Sequence, residues 1–205
     1  MLVCGVDEAG RGSMVGPLVV AGISIEKSKI DELAEMGVKD SKKLTPAARS
    51  HLYKKITRLV EDYAVSKATP KMIDDSVARH QLNHLEAVHM ASVIKKLAPS
   101  VSYVDSCDVN QERFGREIHK ISRTGKVRSY HHADSKFVVV SAASIVAKVT
   151  RDRAIERINK LYDVGSGYPS DERTVRFVRE WFLANGKMPA FVRKSWAPVR
   201  VLLSS

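Results

Sequence analysis

Four acidic residues stand where strand-like stretches give out. Asp7 and Glu8 follow the apolar run Leu2-Val3-Cys4-Gly5-Val6, and Asp105 follows Val101-Ser102-Tyr103-Val104. Asp134 comes just past a strand predicted at 127–131 and ahead of an apolar stretch that begins at Phe137. Where strands alternate with helices, strand ends open onto a crevice and hold side chains rigidly around it. Carboxylates gathered there would repel one another and retain protons unless cations neutralised them. An all-oxygen donor set suits Mg²⁺ or Mn²⁺ rather than zinc. Two such ions about 3.5–4 Å apart form the clamp that cleaves phosphodiesters, one activating water and the other stabilising the leaving oxygen. Spacing alone does not make the four converge, because acidic residues also occupy strand ends to be solvated or to cap helices.

Two residues beyond the acidic pair lies Gly10-Arg11-Gly12. Glycine there allows positive φ and a close backbone approach to a ligand, and Arg11 could meet a phosphate. A dinucleotide fingerprint is the rival reading. It fails because Gly10, Gly12 and Gly16 put one residue too many before the third glycine, and a strand-like stretch follows where that motif needs a helix. Asp7 and Glu8 would also repel a pyrophosphate.

The elements that must position these residues can be read from periodicity. Strands are predicted at 2–6, 15–25, 64–68, 101–104 and 127–131. Thr45-Pro46 and Thr69-Pro70 are helix starts, each a capping threonine followed by a proline suited to the first helical position. Leu52, Ile56, Leu59, Val60 and Tyr63 share a helical face, as do Leu82, Leu85, Val88, Val93, Ile94 and Leu97. A short helix is expected at 111–120. The segment 137–148 reads as a buried helix in which Ser141, Ala142, Ala143 and Ser144 let another backbone come close. It continues into a charged half expected to be exposed, where Arg151, Arg153 and Arg157 pair with Asp152 and Glu156 in solvent. After the loop Gly165-Ser166-Gly167-Tyr168-Pro169, a last helix is predicted at 171–185, stopped by Gly186.

Composition narrows the class. The chain has 205 residues, 44% hydrophobic and 28% charged, which suits a single folded domain. Lys and Arg number 34 against 23 Asp and Glu, a formal charge of +11 that favours a polyanionic partner. No stretch reaches the ~20 apolar residues of a membrane span, so a membrane partner is not expected and a cytoplasmic protein is. Cys4 and Cys107 read as reduced packing thiols.

Taken together, the motifs resemble ribonuclease HII, the type 2 ribonuclease H, in its archaeal-like form. They are Asp7-Glu8-Ala9-Gly10-Arg11-Gly12 with Gly16-Pro17, Asp40-Ser41-Lys42-Lys43-Leu44, Tyr103-Val104-Asp105-Ser106, Ala133-Asp134-Ser135-Lys136, Ser141-Ala142-Ala143-Ser144-Ile145 with Ala147-Lys148, and Gly167-Tyr168-Pro169. They run in family order from Asp7 to at least Trp196. The resemblance implies an α/β, ribonuclease H-like fold with a mixed five-stranded sheet flanked by helices. It implies one catalytic domain over 1–205, with a core of about 1–163 and a helical C-terminal extension over about 164–205. The implied activity is metal-dependent endonucleolytic cleavage of RNA in RNA–DNA hybrids and of single ribonucleotides in duplex DNA, leaving 5′-phosphate and 3′-hydroxyl ends. Asp7, Glu8, Asp105 and Asp134 would be the catalytic carboxylates holding Mg²⁺ or Mn²⁺, two ions in the substrate complex. Gly10, Arg11 and Gly12 would read the ribose 2′-hydroxyl, Tyr168 would stack at the junction deoxyribose, and Lys42 and Lys43 would hold backbone phosphate. A non-catalytic hybrid-binding module on the same fold is the alternative.

Two positions depart from the family pattern: His132 stands in place of a basic residue and Val138 in place of a common proline. The C-terminus Val201-Leu202-Leu203-Ser204-Ser205 has no glutamine with paired aromatics, so docking to a sliding clamp is not expected, and a monomer is. Between Trp181 and Ser205, Lys187, Arg193, Lys194 and Arg200 are interleaved with Phe191 and Trp196 and without acidic residues. That segment either grips duplex backbone or packs its aromatics inward with its charges in solvent. His80 and His84 have the spacing of a zinc pair on a helix, but Gln81 stands where a zinc protease has glutamate, so helix-surface histidines are expected.

Overall fold

The computed structural model describes residues 1–38 and 44–204. Its strands are β1 Leu2–Ala9, β2 Leu18–Glu26, β3 Asp62–Ala68, β4 Val101–Asp105 and β5 Lys126–Tyr130. The α-helices are α1 Ile30–Glu35, α2 Pro46–Leu59, α3 Pro70–Ala78, α4 Leu82–Leu97, α5 Gln111–Ser122, α6 Ala133–Lys136, α7 Val138–Asn159, α8 Glu172–Asn185 and α9 Ala197–Ser204. The described chain divides into two compact units.

The first unit comprises Met1–Ala9, Val19–Ser66 and Glu86–Val149. Its five-stranded sheet has the order β3-β2-β1-β4-β5, with β1 antiparallel to β2 and parallel to β4, and β4 parallel to β5. This is the mixed five-stranded sheet expected. Side chains alternate across β1 as a strand's period of two requires. Val3 and Ala9 join Val139, Val140, Ala142, Ile145 and Val146 of α7 on one face. Cys4 and Val6 join Met90, Val93 and Ile94 of α4 and Phe114 and Ile118 of α5 on the other. Burial pushes the Cys4 thiol up to about 12, so it packs as a neutral group.

The second unit comprises Gly10–Leu18, Lys67–Leu85 and Thr150–Ser205. Its core gathers Met14, Val15, Ile155, Val164, Val178, Val192 and Val199, flanked by Phe177, Trp181, Phe191 and Trp196. Asp171 caps α8 by accepting from the Arg173 N–H, and Gly186 ends it at φ 64°.

Local chemistry explains most boundaries. Thr45 and Thr69 accept from the Ala48 and Met72 N–H groups at 3.2 and 3.3 Å, and Pro46 and Pro70 open the helices as expected. Three expectations are corrected. Asp7 and Glu8 lie inside β1, not after it, because antiparallel pairing with β2 continues to Ala9↔Val19. Val15 does not begin β2: Gly16 turns at φ 84°, and Val15 makes an isolated bridge to Val192. His80 sits at φ 56° between α3 and α4, so His80 and His84 share no helix. The helices α1 and α9 were not expected from periodicity; each is short, with little room for a repeating apolar face.

Candidate active site

Asp7 and Asp105 meet because of strand register. The parallel pairing of β1 and β4 runs through Gly5↔Tyr103 and Val6↔Val104, so the next residues along are Asp7 and Asp105 on neighbouring strands. By alternation Asp7 shares the face of Val3 and Gly5, the face covered by α7, and Ser144 of that helix hydrogen-bonds its carboxyl. Glu8 comes next at the end of the strand. Asp7, Glu8 and Asp105 each present an oxygen within 4.8 Å of the other two.

Asp134 lies just past β5 and ahead of α7, where the sequence places it. It is a buried residue of α6, a single turn that follows β5. The group within 4.8 Å comprises the other three; Asp134 stands beside it and acts on Asp7 through its charge. Asp105 is tied to the same turn, since its Oδ1 accepts the N–H of Ala133. The approach to α6 is braced in turn. The His131 N–H donates to Gln111 at 3.0 Å, and its ring Nε2 lies 2.7 Å from the Asp108 carbonyl.

The electrostatics of this cluster are unfavourable without a cation. Asp7 is 5% exposed, and its carboxyl is pushed up to about 7, first by burial and next by the charge of Asp105. The Ser144 hydroxyl and the Glu8 N–H, 2.7 Å from Asp7 Oδ1, oppose that rise only in part. Three hard oxygen donors in mutual reach, one of them reluctant to ionise alone, form a donor set that fits a divalent cation of the magnesium or manganese kind.

Gly10, Arg11, Gly12 and Tyr168 fall in the second unit. Gly10 turns at φ 88°, and the Ser13 N–H and hydroxyl both donate to its carbonyl, at 3.3 and 2.8 Å, closing a turn over Gly10, Arg11, Gly12 and Ser13. The Arg11 guanidinium donates to Asn83 at 2.8 Å. Gly12 is exposed, and a Cβ added to it would meet nothing within 4 Å. The loop carrying Tyr168 is fastened to the same region, because the Gly167 carbonyl accepts from the N–H groups of Met14 and Val15 at 2.8 and 3.2 Å. Lys42 and Lys43 lie outside the described residues.

Two arginines that sequence reasoning left in solvent are interior. Arg151 is 1% exposed, donates to the Ser166 carbonyl at 2.8 Å, and stacks its guanidinium 4.1 Å from the centre of the Tyr168 ring. A signal existed: Ala147, Arg151 and Ile155 recur every four residues, and all three are buried on α7. Arg193 is 0% exposed and bonds backbone carbonyls, so it is no grip for a duplex. It follows a buried valine in an irregular segment, and no periodicity marks it.

Residues 4–199 match the family described as Ribonuclease HII. A Ribonuclease HII from Cenarchaeum symbiosum is 59% identical over 203 residues, covering 98% of each chain. Among solved structures, the ribonuclease H2 from Pyrococcus horikoshii superposes with a TM-score of 0.93 at 43% identity, covering 100% of this chain and 98% of that one. An RNase HII from Archaeoglobus fulgidus, solved as a complex with PCNA, gives a TM-score of 0.89 at 42% identity, covering 98% and 96%. The expectation that no clamp docks to this chain finds no support in that relative.

Proposed function

This chain belongs to the ribonuclease HII family, and from that premise we propose that Asp7, Glu8, Asp105 and Asp134 are its catalytic carboxylates, with one nuclease domain spanning 1–205. It is an endonuclease for RNA–DNA hybrids. The finer reading adds cleavage at single ribonucleotides in duplex DNA, with 5′-phosphate and 3′-hydroxyl products, carried out inside the cell where such duplexes occur. The observation that carries this reading is the convergence of Asp7, Glu8 and Asp105 oxygens within 4.8 Å on adjacent strand ends. A protein that only bound hybrids would gain nothing from buried carboxylates aimed at phosphates, and this counts against a non-catalytic module.

Bound Mg²⁺ or Mn²⁺ would supply charge neutralisation and an acidified water next to the scissile phosphate. The chain's own residues do the rest. Asp7, Glu8 and Asp105 offer the ligand oxygens, and the Ala133 N–H fixes the orientation of the Asp105 carboxylate. Asp134 adds negative charge that strengthens the site's demand for cations. The +11 formal charge draws the polyanion in. Gly10, Arg11 and Gly12 supply the ribose contact, with Gly12 bare because any side chain would come between its backbone and the sugar. Lys42 and Lys43 complete the phosphate contacts.

The direct test is incubation with a duplex carrying one ribonucleotide, with Mg²⁺ or Mn²⁺ and then with chelator. Cleavage on the 5′ side of the ribonucleotide, stopped by chelator and yielding ends that a ligase and a phosphatase identify as 3′-hydroxyl and 5′-phosphate, is expected. Intact duplex under all conditions would overturn the reading.

Tyr168 gives a separable prediction. Its ring is held by Arg151 on one side, ready to stack on a sugar at the other. A long hybrid offers ribose at every register, but an isolated ribonucleotide must be seated at one. Tyr168→Ala is therefore expected to slow cleavage at single ribonucleotides about tenfold more than cleavage of long hybrids, the scale of one stacking contact. Equal losses on the two substrates would remove that role.

A further inference from the structure

Arg193 is a charged side chain with no exposed surface, so its burial needs a reason in what it holds. The segment from Phe191 to Arg193 lies along residues 14–16. The Gly16 N–H donates to the Phe191 carbonyl at 2.8 Å, the Arg193 N–H donates to Met14 at 2.9 Å, and Val192 bridges Val15. That pairing fixes where the side chain begins. From there Nε donates to the Gly16 carbonyl at 3.1 Å and Nη1 to the Arg11 carbonyl at 2.8 Å, while the guanidinium lies 5.5 Å from the centre of the Trp196 ring.

The Arg11 carbonyl belongs to the central peptide of the turn closed by Ser13 on Gly10. Central peptides are the loosest unit of such turns, because flipping one converts one turn type into another without breaking the closing bond. Glycine at the third position makes the flip easy, and Gly12 does not use it, since its φ lies outside the left-handed region. In a trans peptide the carbonyl of one residue and the N–H of the next point in opposite directions. A guanidinium that holds the Arg11 carbonyl therefore turns the Gly12 N–H away from itself, and Gly12 is an exposed residue at which an added Cβ would meet nothing within 4 Å. A charged donor on that carbonyl also polarises the amide and strengthens its N–H as a donor.

We infer that Arg193 is the positioning residue of the ribose-reading turn: by holding the Arg11 carbonyl it presents the Gly12 N–H to the 2′-oxygen of the substrate. The inference rests on the proposed reading of Gly10, Arg11 and Gly12 as the ribose contact. It makes discrimination between RNA and DNA depend on a side chain that touches neither.

The test compares affinities, in chelator, for two duplexes of one sequence, one all-DNA and one with a single ribonucleotide. The wild-type protein is expected to prefer the second. Arg193→Met should cut that preference about tenfold, one hydrogen bond's worth, and leave affinity for the all-DNA duplex unchanged. Arg193→Lys keeps the charge but carries one donor nitrogen in place of a fork, and should restore only part of the preference. Gly12→Ala, which meets no steric obstacle in the protein, should lower the preference as well. If Gly12→Ala lowers it and Arg193→Met does not, or if Arg193→Met weakens both duplexes equally, the inference fails and the turn's role stands. If Gly12→Ala changes nothing, the reading of the turn itself fails. Should the Arg193 variants not fold, scalar coupling across the bond from the Arg193 guanidinium nitrogen to the Arg11 carbonyl carbon decides on the wild-type chain. Its persistence with the ribonucleotide duplex bound, together with a Gly12 amide shift that the all-DNA duplex does not cause, supports the inference. Absence of either overturns it.

Discussion

Asp7→Asn is expected to unfold at a higher temperature than the parent when both are stripped of metal at pH 8, and to lose turnover by about a thousandfold. The two effects have one cause. Asp7 is buried beside Asp105 and within reach of the charge of Asp134, and its carboxyl is pushed up to about 7 from an ordinary 3.8. The folded chain therefore holds a proton that the unfolded chain has already shed over that interval. Stability falls as pH rises from about 4 to about 7 and is flat beyond it. Asparagine at this position carries no charge to desolvate and removes the repulsion with Asp105, a change worth roughly 1–3 kcal/mol for a buried uncompensated carboxylate. The gap in melting temperature should widen between pH 5 and pH 8 in chelator. With Mg²⁺ or Mn²⁺ added the order should reverse, because only the parent keeps the full ligand set and gains stability by binding. Affinity for a hybrid should hold, since phosphate contacts come from elsewhere. Equal melting temperatures at pH 8, or a gap that shrinks as pH rises, would show that the cluster is not under the strain described.

The site was legible in sequence where chemistry and period coincide, and illegible where only tertiary contact decides. Acidic residues at the ends of apolar runs marked Asp7, Glu8 and Asp105, whose oxygens lie within 4.8 Å of one another. The meeting of Asp7 with Asp105 was not readable, because it depends on β1 and β4 pairing in parallel across about a hundred intervening residues. Asp134 was picked out by its motif, yet its burial on the single turn α6 and its place beside the three-oxygen group are consequences of packing. The close backbone approach falls at Val139 and Val140, beside Gly5 and just ahead of the small residues Ser141, Ala142, Ala143 and Ser144 where it was expected. Charged residues misled most. Arg151 and Arg193 follow the usual rule for arginine only until their partners are known, because a guanidinium that bonds backbone carbonyls and lies against an aromatic ring can be buried. Short helices such as α1 and α9 offered too few residues for a period to show.

Gly5→Ala tests the same close approach from the other side, and its expected effect is on the fold before it is on catalysis. Gly5 lies mid-strand in β1, paired with Ile23 and Tyr103, a position where glycine weakens a strand unless something must come near. What comes near is the first turn of α7. A Cβ on Gly5 would land on the Val139 carbonyl and 2.5 Å from the Val140 nitrogen, and both are backbone atoms that cannot swing aside. The helix would have to retreat from the sheet as a body, opening the packing of Val139, Val140 and Ile145 against Val3. Overpacking against backbone in a core costs about 3 kcal/mol or more, so urea unfolding should show a midpoint well below that of the parent with an unchanged slope. Gly12→Ala is the internal comparison, since its Cβ meets nothing within 4 Å and its stability should stay within about 0.5 kcal/mol of the parent. Whatever fraction of Gly5→Ala folds should also need more Mg²⁺ for half-maximal cleavage, because Asp7 and its Ser144 partner sit on the two elements being forced apart. A loss below about 1 kcal/mol, or an unchanged metal requirement, would mean that α7 does not set the position of the acidic cluster.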